Sequence, residues 1–124
     1  MDKSNFEKLE IYQLAEKLAD EIWFIVKDWD NFAKDTIAKQ IVRSADSVGA
    51  NIAEGNGRFN YKDNRRFIKI ARGSLNETRH WSRRAYTRNL LTTEEIERLK
   101  PLVEKLTLKL NGYLRYLANA STDN

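Results

Sequence analysis

Apolar residues recur every three or four positions through most of this 124-residue chain. That spacing is typical of amphipathic helices, whereas a half-buried strand would alternate apolar and polar residues. The first run predicts a helix over residues 5–27 and stops at the polar segment 28–31. Its apolar positions are Ile11, Leu14, Leu18, Ile22 and Ile25.

Three further runs have the same period. They predict helices over residues 33–54, 61–89 and 93–118. Gly55 follows the second run, and we predict that it adopts the left-handed conformation that ends many helices. Asn60 is a candidate N-cap for the third helix. Thr92 and Glu95 have the spacing of a capping box, which predicts the start of the fourth helix.

The predicted helices are joined by short linkers, and the sequence holds only five Gly and one Pro. Short linkers force neighbouring helices to run antiparallel, so we predict an all-α chain that forms one up-down four-helix bundle over residues 1–124. Pro101 lies inside the fourth run and has no N–H to donate. The fourth helix is therefore expected either to kink there or to restart near Lys100.

Two of the predicted helices carry more apolar surface than the core of one bundle needs. On a helical wheel at about 100° per residue, the first helix has an uncharged apolar arc over roughly half its circumference. The second helix has an extra row of small residues, which are Ala38, Val42, Ala45, Gly49 and Ala53. Tight packing within one bundle or a subunit interface explains this excess, and the two explanations are compatible.

The net charge of +4 conceals a strong segregation of charge along the chain. Residues 58–88 hold 10 basic and two acidic residues, whereas residues 1–30 hold four basic and eight acidic ones. A segregated positive charge favours a polyanion or an acidic protein as the partner. We predict a nucleic-acid-binding face on the third helix. Its residues are Arg58, Lys62, Arg65, Lys69, Arg72, Arg79 and Arg83.

Two further observations bear on this basic face. A face that is merely solvated normally mixes both signs of charge, and arginine, which predominates here, makes bidentate contacts with phosphate. Three aromatic residues, Phe59, Tyr61 and Tyr86, lie near the edges of the face on the wheel. They are either margins of the hydrophobic core or stacking positions for single-stranded or structured RNA.

The residues that most catalytic and metal sites require are missing or incomplete. The chain has no Cys and one His, so disulfides and thiolate chemistry are excluded. Glu77 and His80 match the Glu-x-x-His pattern of di-iron bundles, but a second copy cannot exist with one His. A polar row on the second helix, Gln40, Arg43, Ser47, Asn51 and Glu54, is expected to form hydrogen bonds between helices. We predict no enzyme, no cofactor and no metal.

The N-terminal residues Met1–Asn5 lack the basic-then-apolar order of a signal peptide. No stretch approaches the roughly 18 uncharged apolar residues that a membrane span needs. We therefore expect a cytoplasmic protein with no membrane partner.

Two segments carry a resemblance to a known family. The segment Gln40–Gly55, QIVRSADSVGANIAEG, is followed by Arg58, and the segment Ala71–Glu77 reads ARGSLNE. Together they resemble the signatures of the bacterial four-helix-bundle family encoded by intervening sequences within large-subunit ribosomal RNA genes. The opening helix from Phe6 to Ala15 is similar to that of the same family.

The resemblance implies a homopentameric barrel of bundles, as in related accessory proteins of diversity-generating retroelements. Those proteins bind nucleic acid and a reverse transcriptase, which implies RNA or DNA and such a protein as partners. It also implies structural roles in ending a helix, close packing and hydrogen bonding between helices. The residues concerned are Asn51, Glu54, Gly55, Gly73, Ser74 and Glu77.

Two functional hypotheses follow from the sequence. The first is a non-enzymatic, oligomeric accessory protein that binds RNA or DNA phosphates through the third helix. The second is an adaptor or scaffold whose basic face docks an acidic protein partner. Salt-sensitive binding of nucleic acid by the isolated protein would favour the first hypothesis.

Overall fold

Four long helices account for most of residues 5–122, the part of the chain that this computed structural model describes. Helix α1 spans Glu10–Val26 and follows a single 3₁₀ turn at Phe6–Lys8. Helix α2 covers residues 31–56 without a break. It consists of Asn31–Ala33, a π-helical stretch at Lys34–Ala38, and Lys39–Asn56. Helix α3 spans Tyr61–Thr87, and helix α4 spans Thr93–Thr122.

Each helix packs against the two that neighbour it in the order α1, α2, α3, α4 and back to α1. Contacts at matching levels show that neighbours run antiparallel. Arg72 on α3, for example, meets Asn111 on α4, and Arg79, which is later on α3, meets Thr107, which is earlier on α4. The described residues contain no strand. The prediction of an all-α four-helix bundle is confirmed.

The core is a continuous column of aliphatic side chains from all four helices. Its fully buried members are Leu18, Ile22, Ile41, Val48, Ile52, Ile68, Leu75, Leu99, Leu106, Leu110 and Leu117. Two fully buried hydroxyls lie among them, and Thr78 Oγ1 donates to Ser44 Oγ at 2.9 Å. A buried polar group costs free energy unless it is hydrogen-bonded, so this pair fixes α2 against α3 at one register.

Side-chain caps set where three helices begin. Asp30 Oδ1 accepts a hydrogen bond from Ala33 N at 2.9 Å, so α2 starts at Asn31, two residues before the predicted start. The predicted Asn60 cap is confirmed, because its Oδ1 accepts from Asp63 N at 2.7 Å. The predicted capping box is confirmed too, with Glu95 N donating to Thr92 Oγ1 at 3.1 Å and Thr92 N donating to Glu95 Oε1 at 2.9 Å.

Helix α1 begins later than predicted, and helix α4 has no break at its proline. Leu9 has an extended backbone, with φ −74° and ψ 133°, and it separates the 3₁₀ turn from α1. Helix α4 passes through Pro101 without a restart, and buried Leu99 and Val103 flank the proline. Their packing against the core offsets the hydrogen bond that the proline cannot make.

Gly55 does not have the predicted left-handed conformation. Helix α2 continues through it to Asn56, and no described glycine has a positive φ. The glycine is needed because α3 passes so close. A Cβ atom at position 55 would lie 2.6 Å from Asn64 Oδ1 and 3.0 Å from Phe67 Cβ. Close packing of two helices, not a turn conformation, explains this residue.

Gly73, at the middle of α3, has the opposite environment. It is exposed, and a Cβ atom there would meet nothing within 4 Å. The close packing that the family resemblance implies for this glycine is therefore absent within the chain.

These two glycines give a paired stability prediction. Gly55→Ala is expected to lower the free energy of unfolding by about 1–2 kcal/mol, because overpacking costs about 1–3 kcal/mol and exceeds the helix-propensity gain. Gly73→Ala is expected to raise it by up to about 1 kcal/mol, since only the propensity gain applies. Urea unfolding followed by circular dichroism measures both. Equal effects of the same sign would contradict this account of Gly55.

Candidate nucleic-acid interface

The predicted basic residues of α3 line the side of the bundle where α3 meets α4. Lys62, Lys69, Arg79 and Arg83 are exposed, whereas Arg65 and Arg72 are half-buried against α4. Five of the predicted residues, all except Arg58 and Lys62, line two grooves between α3 and α4. The grooves differ in the charges that line them.

The first groove, which we call the four-cation groove, is defined by Arg65, Lys69, Arg72 and Arg115. Its volume is about 400 Å³, and Asn111, Leu114 and Ala118 of α4 complete the lining. Arg72 Nη1 donates to Asn111 Oδ1 at 3.1 Å, which holds this guanidinium in the groove. None of the described acidic side chains lines it. Within residues 5–120, none of the four cations forms an ion pair.

The second groove lies nearer the other end of α3 and is about 530 Å³ in volume. Arg79, Arg83 and Lys100 line it together with Glu104 and the apolar residues Ile96, Leu99 and Val103. Arg79 Nη2 donates to Thr107 Oγ1 at 3.2 Å. Because Glu104 stands among the three cations of this groove, the net positive charge of its lining is smaller than that of the four-cation groove.

Arg58 does not join either groove. Its Nη2 lies 2.9 Å from Glu54 Oε1, and its guanidinium carbon lies 4.6 Å from the centroid of the Phe67 ring. Arg66 covers the same ring at 4.5 Å and lies 3.9 Å from Asp63. An ion pair and a ring thus engage the charge of Arg58. Lys62, on the first turn of α3, is exposed and lines neither groove.

The three aromatic residues flagged at the edges of the basic face are exposed, so they are not margins of the core. Phe59 is fully exposed, and Tyr61 and Tyr86 each expose more than a third of their surface. Tyr61 lies edge-on to Tyr116 of α4, with 6.4 Å between ring centroids. Tyr116 is also 5.8 Å from Tyr113. The three tyrosines form what we call the tyrosine cluster: Tyr61, Tyr113 and Tyr116.

The α4 residues of these sites were not recognised in the sequence. Asn111 and Arg115 are four residues apart, so they share one side of a helix. Antiparallel pairing with α3 places that side against Arg65 and Arg72. The spacing of Asn111 and Arg115 is therefore visible in the sequence. That these residues face the basic residues of α3 follows only when the two predicted helices are packed against each other.

Two residues of the predicted polar row of α2, Arg43 and Ser47, form the expected hydrogen bonds with α3. The side-chain hydrogen bonds of Gln40, Asn51 and Glu54 are instead to Arg43, Ser47 and Arg58. Ser74 Oγ donates to Ser47 Oγ at 3.0 Å, and Asn51 Nδ2 donates to the same hydroxyl at 3.0 Å. Arg43 pairs with Glu77, which also accepts from Trp81 Nε1 at 3.2 Å. Glu77 is therefore engaged in holding the two helices together.

His80 does not approach a second ligand set. It is exposed, and its ring lies edge-on to Trp81 at 4.8 Å. Among the described residues there is no group of three or more His, Cys, Asp or Glu side chains arranged to hold a metal ion.

The excess apolar surface of α1 and α2 lies on the outside of the bundle. Trp23 is 56% exposed and Phe32 is 79% exposed. Trp23, Val26, Ala38 and Val42 line a depression of about 530 Å³, the Trp23 depression, which is rimmed by Lys27, Lys34, Lys39 and Arg43. The small row of α2 packs partly against α1, where Tyr12 lies 3.5 Å from the Cβ position of Gly49.

Acidic side chains lie further along the same α1–α2 side. Glu16, Asp20 and Asp46 line a neighbouring groove beside Gly49. Burial and the nearby Asp20 carboxylate raise the pKa of Asp46 above its ordinary value. The α1–α2 side therefore carries an acidic groove beside the Trp23 depression, which is rimmed by cations. None of the described helices is both long enough and apolar enough to cross a membrane.

The fold and these grooves define a class of protein: a small antiparallel four-helix bundle with a cationic surface between two helices. Within that class, the chain belongs to the 23S rRNA-intervening sequence protein family, whose model matches residues 7–112. The resemblance carried by the two sequence signatures is confirmed.

A solved structure gives independent support for the fold. The chain is similar to a protein of unknown function from the S23 ribosomal protein family of Bacteroides thetaiotaomicron, with a TM-score of 0.75 and 24% identity. The match covers 84% of this chain and 97% of that one. A comparison with curated proteins gives no significant match. Neither the family description nor that of the similar structure indicates an enzymatic activity.

Proposed function

We propose that this protein is a non-enzymatic, oligomeric accessory protein of the cytoplasm that binds RNA or DNA through phosphate contacts. The observation that carries the proposal is the four-cation groove, where Arg65, Lys69, Arg72 and Arg115 converge and no acidic residue of the described part of the chain joins the lining. Four like charges repel one another in the free protein. A polyanion in the groove supplies the missing counter-charge and relieves that repulsion.

The chemistry of the groove suits phosphate more than an isolated carboxylate. Three of the four cations are arginines, whose planar guanidinium makes paired hydrogen bonds with phosphate oxygens. Arg72 is already oriented by Asn111, so less side-chain freedom is lost when a phosphate binds. Phosphate contacts position a nucleic acid without reading its sequence. The proposal therefore includes no sequence specificity.

The Trp23 depression supports the oligomeric part of the proposal. Exposed aromatic patches rimmed by charged residues mark interaction sites, and a second copy of the chain is the occupant we propose. An interface that joins two different faces of one chain closes into a ring if the rotation permits. The family resemblance sets the expected number of subunits at five. It also makes a reverse transcriptase a candidate protein partner.

A salt titration tests the nucleic-acid part of the proposal. Binding of the wild-type protein to a labelled oligonucleotide is expected to weaken as salt rises, because each phosphate contact releases condensed counterions. Four contacts give a slope of log affinity against log salt of about −3 on single strands and about −3.5 on duplex. Fluorescence anisotropy measures the slope. Absence of binding at low salt, or a slope near zero, would overturn the proposal.

The second groove supports one alternative function. Its cations stand beside Glu104 and apolar side chains, a mixed lining that fits an adaptor for a protein with acidic and apolar residues. If the protein binds such a partner at salt concentrations where it binds no nucleic acid, the adaptor function replaces the one proposed above.

A further inference from the structure

Arg115 lies where the four-cation groove meets another depression of the surface. That residue also lines a second depression, of about 600 Å³, on the other side of α4. Tyr113 and Tyr116 of the tyrosine cluster line this second depression as well. Arg115 thus connects a surface of cations with a surface of aromatic rings around the C-terminal part of α4.

The tyrosine cluster has an open ring at its outer edge. Tyr116 is 55% exposed, although it contacts Tyr61 at 6.4 Å and Tyr113 at 5.8 Å. Two ring contacts restrict the orientation of Tyr116, while more than half of its surface faces solvent. A ring that is held in place and still exposed can stack against a flat ligand at little cost in side-chain entropy.

The charges around the tyrosine cluster do not oppose an anion. Among the described residues, Glu10 is the one acidic residue that lines the second depression, and its Oε1 lies 3.5 Å from Lys109 Nζ. With that carboxylate paired, no other described acidic side chain in this depression offsets the positive charge of Arg115 beside the rings. The surface from the four-cation groove to Tyr116 is therefore positive or neutral along its length.

On these observations we propose that the occupant of this surface is a single-stranded nucleic acid. Its phosphates lie in the four-cation groove and along Arg115, and one of its bases stacks on Tyr116. This inference rests on the function proposed above and specifies its substrate class. The bases of a duplex are stacked on one another and paired, so they cannot lie on a protein ring, whereas those of a single strand can.

The preference between single and double strands separates stacking from simple charge attraction. A duplex releases more counterions per phosphate contact than a single strand does, so attraction by phosphates alone favours the duplex. Tighter binding of the single strand therefore requires a contribution from the bases.

The test uses the full chain, oligothymidine of about 20 nucleotides, and a duplex of the same length, which exceeds the site size of a single binding fold. We expect the wild-type protein to bind oligothymidine more tightly than the duplex. Tyr116→Leu removes the ring, keeps an apolar side chain, and is expected to weaken oligothymidine binding by about 5- to 100-fold. Tyr116→Phe keeps the ring and is expected to bind oligothymidine as wild type does.

Inorganic polyphosphate serves as a probe without bases. Tyr116→Leu is expected to bind it as tightly as wild type, which also shows that the variant is folded. If the duplex binds as tightly as oligothymidine and Tyr116→Leu weakens neither, the single-strand inference is wrong while the proposed phosphate binding stands. If no nucleic acid binds at all, the proposed function and this inference fail together.

Discussion

Replacing Arg65, Lys69 and Arg72 together by Glu is expected to reduce the affinity for nucleic acid by roughly 1,000-fold, from three charge-assisted contacts of about 1.5 kcal/mol each. These residues form the α3 side of the four-cation groove. The slope of log affinity against log salt is expected to become shallower by about 2 on single strands. The bundle should remain folded, because none of the three side chains is part of the core. Anisotropy titrations at several salt concentrations, with circular dichroism melting, measure these effects.

A matched variant distinguishes binding at the four-cation groove from attraction by the net charge of the whole protein. Lys17, Arg88 and Lys105 are exposed and line neither α3–α4 groove nor the Trp23 depression, and replacing them by Glu changes the net charge by the same amount. This variant is expected to lose little affinity, since exposed charges beyond a Debye length of about 10 Å are largely screened. Equal losses in both triple variants would mean that net charge alone drives binding. No loss in either would leave α3 as a solvated face.

The basic face illustrates how far the sequence could be used to predict the site. The helical period placed Arg65, Lys69 and Arg72 on one arc, because side-chain direction in a helix depends only on position along it. Their partners on α4 could not be predicted the same way. Arg115 faces the groove because of the rotation of α4 about its own axis, and core packing against α1 and α3 sets that rotation.

Arg58 is assigned to the basic face from the sequence because a count of charges does not show which of them form ion pairs. Glu54 and Arg58 are four residues apart, a spacing that brings side chains together on a helix. The predicted end of the second helix at residue 54 concealed this relation, whereas α2 continues to Asn56. Because the predicted helix ends at residue 54, Gly55 is also expected from the sequence to adopt a helix-ending conformation. Its real constraint is the approach of Asn64 and Phe67, a tertiary contact without a local sequence signal.

The exposed aromatic residues show a similar limit. A helical period distinguishes an apolar from a polar arc, but it does not show how wide an arc the core will cover. In the structure, Ile22 and Val26 of α1 are buried, whereas Trp23 between them is more than half exposed. The apolar surface that the sequence predicts beyond the needs of the core is therefore exposed on the single bundle. What covers it is a separate question, which a measurement of the oligomeric state tests.

Trp23→Glu is expected to dissociate the proposed oligomer and to weaken binding to long nucleic acid by about 100- to 10,000-fold, the range over which linked sites gain avidity. The substitution removes the exposed ring from the proposed interface, and the cost of desolvating a carboxylate there often exceeds its attraction to the surrounding cations. Binding to an oligonucleotide that reaches only one subunit is expected to be unchanged, because the four-cation groove lies between other helices. Light scattering gives the mass, and anisotropy with short and long strands gives the affinities.

Gln13→Glu provides the control for this prediction. It introduces the same charge on an exposed position of α1 outside the depression, and the oligomer is expected to persist. A wild-type protein that is monomeric at micromolar concentration would rule out the oligomer directly. If Trp23→Glu forms monomers yet binds long strands as tightly as wild type, one subunit supplies all of the affinity. The repeated basic faces of an oligomer would then have no part in binding, and the Trp23 depression would serve assembly alone.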